Sequence, residues 1–406
     1  MPILGIWDGH DAGAALVDES TGRIVCAANE ERFTRRKLEV GFPRGAIAAC
    51  LREAGLAAHE VDDVAISTFD PAKTLTRIFP SLKESYYLLR RRRVRPRPLD
   101  PWKRALKYEL TTWRPNGLTR RLSERALSRD LSRVGLTRAR VHWTHHHMAH
   151  AATAAYTSGF DRALVLTLDG VGDGLSGTIS TLADGKLTLL SAIGAKDSFG
   201  VFYEMVTRLL NMRELEDEGK VMALASYGYA PADGRNPFLG LFQVEGLNVT
   251  CRLSPSGLSR FLARELAMMP SEQFAFLAQE TLETKVVELV RNALRTTGLA
   301  RIAYAGGVAS NIQVNRKLRA LPECEGIFVF PHMGDGGLAL GAALASASER
   351  SGGRNFPLGD LRLGPSLGAG EIEAALTGSG LRFEAVDDVA TSAARRIAKG
   401  DVVFWF

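Results

Sequence analysis

Two histidines four residues apart, His146 and His150, open the stretch richest in chemistry, HHHMAHAATAAYTSGFDRALVLTLDGVGD, residues 145–173. Positions i and i+4 share one face of a helix, so both imidazoles can be aimed at one ion. After a turn at Ser158-Gly159 comes the apolar run Ala163 to Leu168, the pattern of a buried strand, which stops at Asp169. Gly170-Val171-Gly172-Asp173-Gly174 follows directly. An isolated HxxxH is commonly a surface or capping feature. Joined to a strand-end carboxylate and a glycine loop that can cradle phosphate, it points to a metal holding a phosphorylated substrate. Asp335, in Pro331-His332-Met333-Gly334-Asp335-Gly336-Gly337, heads a small-residue helix from Leu338 to Ala347. It is either that helix's N-cap or a fourth ligand. Imidazole with carboxylate suits iron, zinc or manganese alike.

These side chains need a scaffold, and the chain writes one twice. Ile3 to Trp7, Ala14 to Asp18 and Arg23 to Asn29 read as strands around the acidic turn Asp8-Gly9-His10-Asp11-Ala12-Gly13. A helix from Pro43 to Ala54, a strand from Asp63 to Ser67 and another from Arg140 to Trp143 complete the half. The second half repeats this with strands at Ala163 to Leu168, Gly177 to Leu182 and Lys186 to Ile193. Helices follow at Phe199 to Leu210, Glu216 to Tyr227 and Glu272 to Thr297. Asp8-Gly9 thus corresponds to Asp169-Gly170. Ile302 to Tyr304 leads into Ala305-Gly306-Gly307-Val308-Ala309-Ser310-Asn311 and a helix to Leu321, an arrangement that lets a nucleotide approach backbone at a helix start. Ile327 to Phe330 is the last strand. A duplicated α/β lobe with a phosphate hairpin in each is the plan of the actin-like ATPases, a doubled ribonuclease H-like unit.

The 406 residues are 46% apolar and 24% charged, enough for two or three domains with substantial cores. No apolar run approaches the roughly 20 residues of a membrane span, and the first residues carry no basic leader. Four scattered cysteines, Cys26, Cys50, Cys251 and Cys324, without a CxxC fit a reduced compartment, so a cytoplasmic protein is expected. The net charge of +6 hides a local excess: residues 90–140 hold 17 Lys/Arg against four Asp/Glu. That insertion is open to two readings, a nucleic-acid or acidic-membrane patch and a solvated, partly helical segment. Interspersed aromatics (Tyr86, Tyr87, Trp102, Tyr108, Trp113) and prolines favour the second. Glu30 to Lys37 is a further charged segment that can supply cations to an anionic substrate.

GHDAGAALV, NEERFTRRK, HHHMAHAATAAY, LVLTLDGVGDG, FYEMVTRLL, EGKVMALASYG, AGGVASNIQVNRKL and PHMGDGGLALGAA occur in this order from residue 3 to about 345. As a set they resemble the O-carbamoyltransferases of the nodulation-protein and antibiotic-tailoring type. The N-terminal domain of that family is similar to the tRNA threonylcarbamoyladenosine transferases. The resemblance implies a two-lobed actin-like fold over residues 1–350, with lobes of about 1–160 and 161–350. It implies an iron(II)-type metal, with Zn2+ or Mn2+ as alternatives, on His146, His150, Asp169 and Asp335. Nucleotide contacts would come from Gly306, Gly307 and Asn311, with Gly170 and Gly172 beside the phosphate. His10 and Asp11 would lie at the transfer site, His10 as a base with a pKa near working pH, and Lys37 near the anionic donor. The implied reaction moves a carbamoyl group from carbamoyl adenylate, made from ATP and carbamoyl phosphate, to a hydroxyl of a small acceptor such as a sugar or secondary metabolite.

Family members continue into a second α/β domain that makes the adenylate. Here Asn355 to Pro365 reads as a linker, Glu371 to Thr377 and Val389 to Ala398 as helices, and Asp401 to Phe406 as an opening strand. The expectation is an incomplete second domain over residues 366–406, unable to form adenylate and calling for a partner or dimer to cover it. Competing readings are a tRNA-modifying relative, a non-catalytic nucleotide-binding remnant and an actin-like sugar kinase. Paired histidines are not expected in the last.

Overall fold

The computed structural model describes residues 1–405 except 96, 99, 232 and 233, and the side chains of residues 101 and 104 are likewise not described. It forms two compact units, Met1–Pro365 and Ser366–Phe406.

The first lobe begins with β1 (Pro2–Trp7), β2 (Gly13–Asp18) and β3 (Arg23–Asn29). It continues through α1 (Glu31–Thr34) and α2 (Arg44–Ala54) to β4 (Asp63–Ser67). Then come α3 (Pro71–Ile78) and α4 (Pro80–Arg90), and the basic insertion supplies α5 (Asp100–Thr111) and α6 (Gly117–Arg133) before β5 (Arg140–Thr144). Local chemistry sets these limits. Asp70 accepts the Lys73 N–H ahead of Pro71, and Asn116 accepts the N–H groups of Leu118 and Thr119. Gly55, at φ +64°, closes α2.

The second lobe follows with α7 (His146–Thr157), β6 (Arg162–Gly172), β7 (Leu175–Ala183) and β8 (Lys186–Gly194). Next come α8 (Phe199–Leu209), α9 (Glu218–Ala225), the hairpin β9 (Phe242–Glu245) and β10 (Asn248–Cys251), α10 (Pro255–Leu266) and α11 (Ser271–Thr297). The lobe ends with β11 (Arg301–Ala305), α12 (Ile312–Arg319), β12 (Gly326–Val329) and α13 (Leu338–Ser351).

The sheet orders are β3-β2-β1-β4-β5 and β12-β11-β6-β7-β8. Read from opposite edges they are one plan: an antiparallel meander, then two parallel strands beside its first member. This repetition is the two-lobed actin-like fold. β6 differs from the sequence reading. It runs past Leu168 to Gly172 with a register irregularity between them, so Gly170 and Gly172 belong to a strand end rather than a loop. Asp173 and Gly174, both at positive φ, make the turn.

The two terminal helices cross over. α7 leaves β5 but packs on β6, β7 and β11, while α13 leaves β12 but packs on β1, β2 and β4, and the two helices lie against each other. The buried face of α7 is alanine with histidine, threonine and Tyr156, and that of α13 is alanine and leucine with two serines and Gly341. A methyl at Gly341 would overlap the Ala149 carbonyl, and one at Gly5 the Ala339 carbonyl. Gly341→Ala and Gly5→Ala are each expected to cost about 1–3 kcal/mol by overpacking, read as a lower urea midpoint. An unchanged midpoint would show that the helices can slide apart.

The segment read as a linker is held to the first unit. Phe356 is fully buried and its N–H donates to Tyr156 O at 2.7 Å. The Leu363 carbonyl accepts the Ala27 N–H at 2.7 Å. In the second unit, α14 (Ala369–Ser379) and α15 (Val389–Ala398) bury no residue. The strand expected from residue 401 is not formed over 401–405, and Phe406 lies outside the described residues. A strand needs a neighbour for its N–H and C=O groups, and no described segment pairs with this one.

Candidate metal centre and cleft

α7 delivers His146 and His150 because Asp173, across the β6–β7 turn, caps it: Asp173 Oδ2 accepts the His146 N–H at 2.7 Å. His147, between them, faces the other way and pairs with Thr167 Oγ1 at 2.9 Å. Asp169 is fixed by the Gly306-Gly307 loop, whose Gly307 N–H donates to its Oδ1 at 2.7 Å. Oδ2 is left to the histidines. Gly306 sits at φ +98°, and a methyl there would overlap the Leu168 carbonyl, so only glycine brings the loop this close.

Ligand atoms from His146, His150, Asp169 and Asp335 lie within 4.8 Å of one another. His146 Nε2 is 3.2 Å from Asp169 Oδ2 and 3.6 Å from Asp335 Oδ1. His150 Nε2 is 3.5 Å from Asp335 Oδ1 and 4.0 Å from Asp169 Oδ2. Ligands about 2.1 Å from a shared ion would be about 3–3.5 Å apart. His150 Nε2 is buried and makes no hydrogen bond among the described residues. Burial disfavours charge on His146, yet the Asp335 and Asp169 carboxylates raise its pKa to about 9. Burial alone would raise both carboxylates too. His146 and His150 carry Asp169 well below its ordinary range, and His10 and His146 lower Asp335. The cluster therefore has negative charge to spare and an orphaned donor nitrogen. A cation answers both.

Asp335 also faces His10, whose Nδ1 lies 3.3 Å from Oδ2. Burial pushes the His10 pKa down to about 4 against the pull of Asp335, so the imidazole is neutral rather than poised near working pH. Its ring stacks on Tyr87 at 4.8 Å between centroids. Asp11, at φ +57°, accepts from Asn29 Nδ2 at 3.2 Å and lies 3.3 Å from His332 Nε2. Asn311 caps α12 and spends its amide on Gln279, accepting at 3.0 Å and donating at 2.9 Å. Lys37 is exposed; the adjacent Leu38 lines the cleft instead.

A cleft of about 1320 Å³ joins these groups, walled by both lobes. The basic run at its edge is only partly solvated: Arg92 and Arg93 are exposed, Arg90 half-buried and Arg91 buried. Arg90 pairs with Glu204 and, at 2.8 Å, with Glu214; Arg92 bonds Asn211 and the Arg208 carbonyl; Arg93 reaches Glu216 at 3.1 Å. Carboxylates of the second lobe thus pair with Arg90 and Arg93, while Arg91 donates to the Leu38 carbonyl of the first. Sequence reasoning missed Lys73, Arg77 and Lys83, which surround Asp8, and Lys107. Only the i, i+4 spacing of Lys73 and Arg77 on α3 signalled a shared face.

The Nodulation protein NolNO of Sinorhizobium fredii is 32% identical over 98% of the chain and 55% of its own length. Nodulation protein NolO of Bradyrhizobium diazoefficiens is 36% identical over 64% of the chain and 49% of its own length. The chain therefore spans about half the length of the curated relatives it matches. A solved structure of HypF from T. kodakarensis is 14% identical, with a TM-score of 0.49, over 87% of the chain and 49% of that one. Residues 2–344 match the family described as Carbamoyltransferase N-terminus, and with that match across most of the fold the chain belongs to this carbamoyltransferase family.

Proposed function

We propose that this chain carries the transfer step of an O-carbamoyltransferase, moving a carbamoyl group from carbamoyl adenylate to a hydroxyl of a small-molecule acceptor. The convergence of His146, His150, Asp169 and Asp335 on the cleft wall carries this reading. These four residues would hold a divalent metal, iron(II) with zinc and manganese as alternatives. When bound, it would orient the donor's phosphate and offset charge as AMP leaves. The acceptor oxygen forms the new C–O bond, the carbamoyl–phosphate C–O bond breaks, and AMP departs with its electron pair. His10, held neutral with Nδ1 toward Asp335, would offer Nε2 as the nitrogen that takes the acceptor's proton. Asp11, steadied by Asn29 and His332, orients the acceptor. Gly306 and Gly307 admit the donor close to backbone. Adenylate synthesis from ATP and carbamoyl phosphate is assigned to the part of the longer relatives that this chain does not span.

Elemental analysis of the chain purified without oxygen tests the reading. About one metal per chain is expected, lost in His146→Ala/His150→Ala. Supplied carbamoyl adenylate should then release AMP in the presence of a hydroxylated acceptor, at least about 100-fold more slowly in the double variant. A metal-free wild-type chain would overturn the centre. Transfer only to tRNA, with a steep salt dependence, would overturn the small-molecule acceptor.

A further inference from the structure

We propose that the helical insertion builds an anion subsite in the cleft, where the Lys107 ammonium receives a phosphate or carboxylate carried by one of the two co-substrates. Only the identity of those co-substrates rests on the transferase reading.

Lys107 projects from α5 into the cleft. Its Nζ lies 3.7 Å from the Tyr86 ring centroid, 4.7 Å from that of Tyr87 and 3.5 Å from the Tyr87 hydroxyl oxygen. An aromatic face steadies a cation through its quadrupole but supplies no full counter-charge. Among the described residues no carboxylate forms an ion pair with Lys107. Two cations further along the cleft wall are matched: Lys73 by Asp8 at 2.9 Å, Arg90 by Glu214 at 2.8 Å. Burial, reinforced by Arg90, lowers the Lys107 pKa to about 7, so an arriving anion would stabilise the charged form.

Position gives this charge its use. Tyr87, which touches Lys107, also stacks on His10, and His10 faces Asp335. One phenol and one imidazole therefore separate the ammonium from the ligand cluster. The cleft also exceeds the roughly 300–1,000 Å³ of a single small-molecule site, which leaves room for donor and acceptor together. An anionic group held at Lys107 would fix the register of whichever co-substrate carries it.

The test is calorimetric titration of the whole chain with AMP and glucose 6-phosphate, and with uncharged adenosine and glucose. Wild type is compared with Lys107→Met, which keeps the stem, and Lys107→Arg, which keeps the charge. Lys107→Met is expected to weaken one phosphorylated probe by about tenfold or more, with Lys107→Arg retaining it and the uncharged probes unaffected. Loss confined to AMP assigns the subsite to the donor; loss confined to glucose 6-phosphate assigns it to the acceptor. No binding of either phosphate to wild type, or equal affinities in wild type and Lys107→Met, overturns the proposal. Should Lys107→Met melt early, Lys107→Gln replaces it. None of these readouts needs metal or turnover. A metal-free chain that still binds through Lys107 would sink the metal centre and spare the subsite.

Discussion

Asp8→Ala is expected to destabilise the first unit by about 3–5 kcal/mol, the cost of stranding buried charge. Arg77 grips the carboxylate with two donors, Nε to Oδ2 at 2.8 Å and Nη2 to Oδ1 at 2.9 Å. Lys73 adds an ion pair at 2.9 Å, and Lys83 lies 3.9 Å away while donating to the Asp8 carbonyl. All four residues are less than a tenth exposed. Burial alone would raise the Asp8 pKa; Arg77, Lys73 and Lys83 instead hold it well below the usual carboxylate range. A folded-state pKa below the unfolded one means that this stabilisation is present above about pH 4 and fades as the pH falls further. Urea midpoints at pH 7 measure the effect. A loss under about 1 kcal/mol would mean that the buried lysines shed their protons once the carboxylate is gone. The network also explains why Asp8 and Asp169, equivalent in the two sheets, differ in chemistry. Cations from α3 and α4 occupy the first, whereas histidines from α7 face the second.

Gly172→Ala is expected to weaken metal binding by at least about 10–100-fold, the scale of losing a ligand's support. A methyl at residue 172 would overlap the His146 ring, which would then have to leave the cluster. Gly170→Ala is the control. Its methyl would come only within 3.1 Å of Glu204 Oε1, the far end of a flexible side chain. Chelator competition should separate the two variants while their melting temperatures stay close. Equal affinities would show that His146 can bind from another rotamer, and the cluster would be looser than its distances imply.

Periodicity and spacing were enough to place the strands of both sheets, the duplication, and His146 and His150 on one helical face. These are local properties, because i, i+4 geometry and alternating burial follow from backbone shape alone. The pairing of Asp169 with Asp335 was legible only as an acid at a strand end and another at a helix head in the same half. Bringing their carboxylates to the same histidines required the crossover of α7 and α13. Other outcomes depended wholly on tertiary surroundings. Burial lowered the pKa of His10, Asn311 spent its amide on Gln279, and Arg90, Arg92 and Arg93 turned onto the second lobe. The strand expected from residue 401 had the right residues but no neighbour to pair with. The sequence by itself determined the strands of both sheets and which residues could bind a cation. Only the folded chain decided which charges are neutralised and which, like Lys107, are left for a ligand, because that depends on distances between residues far apart in sequence.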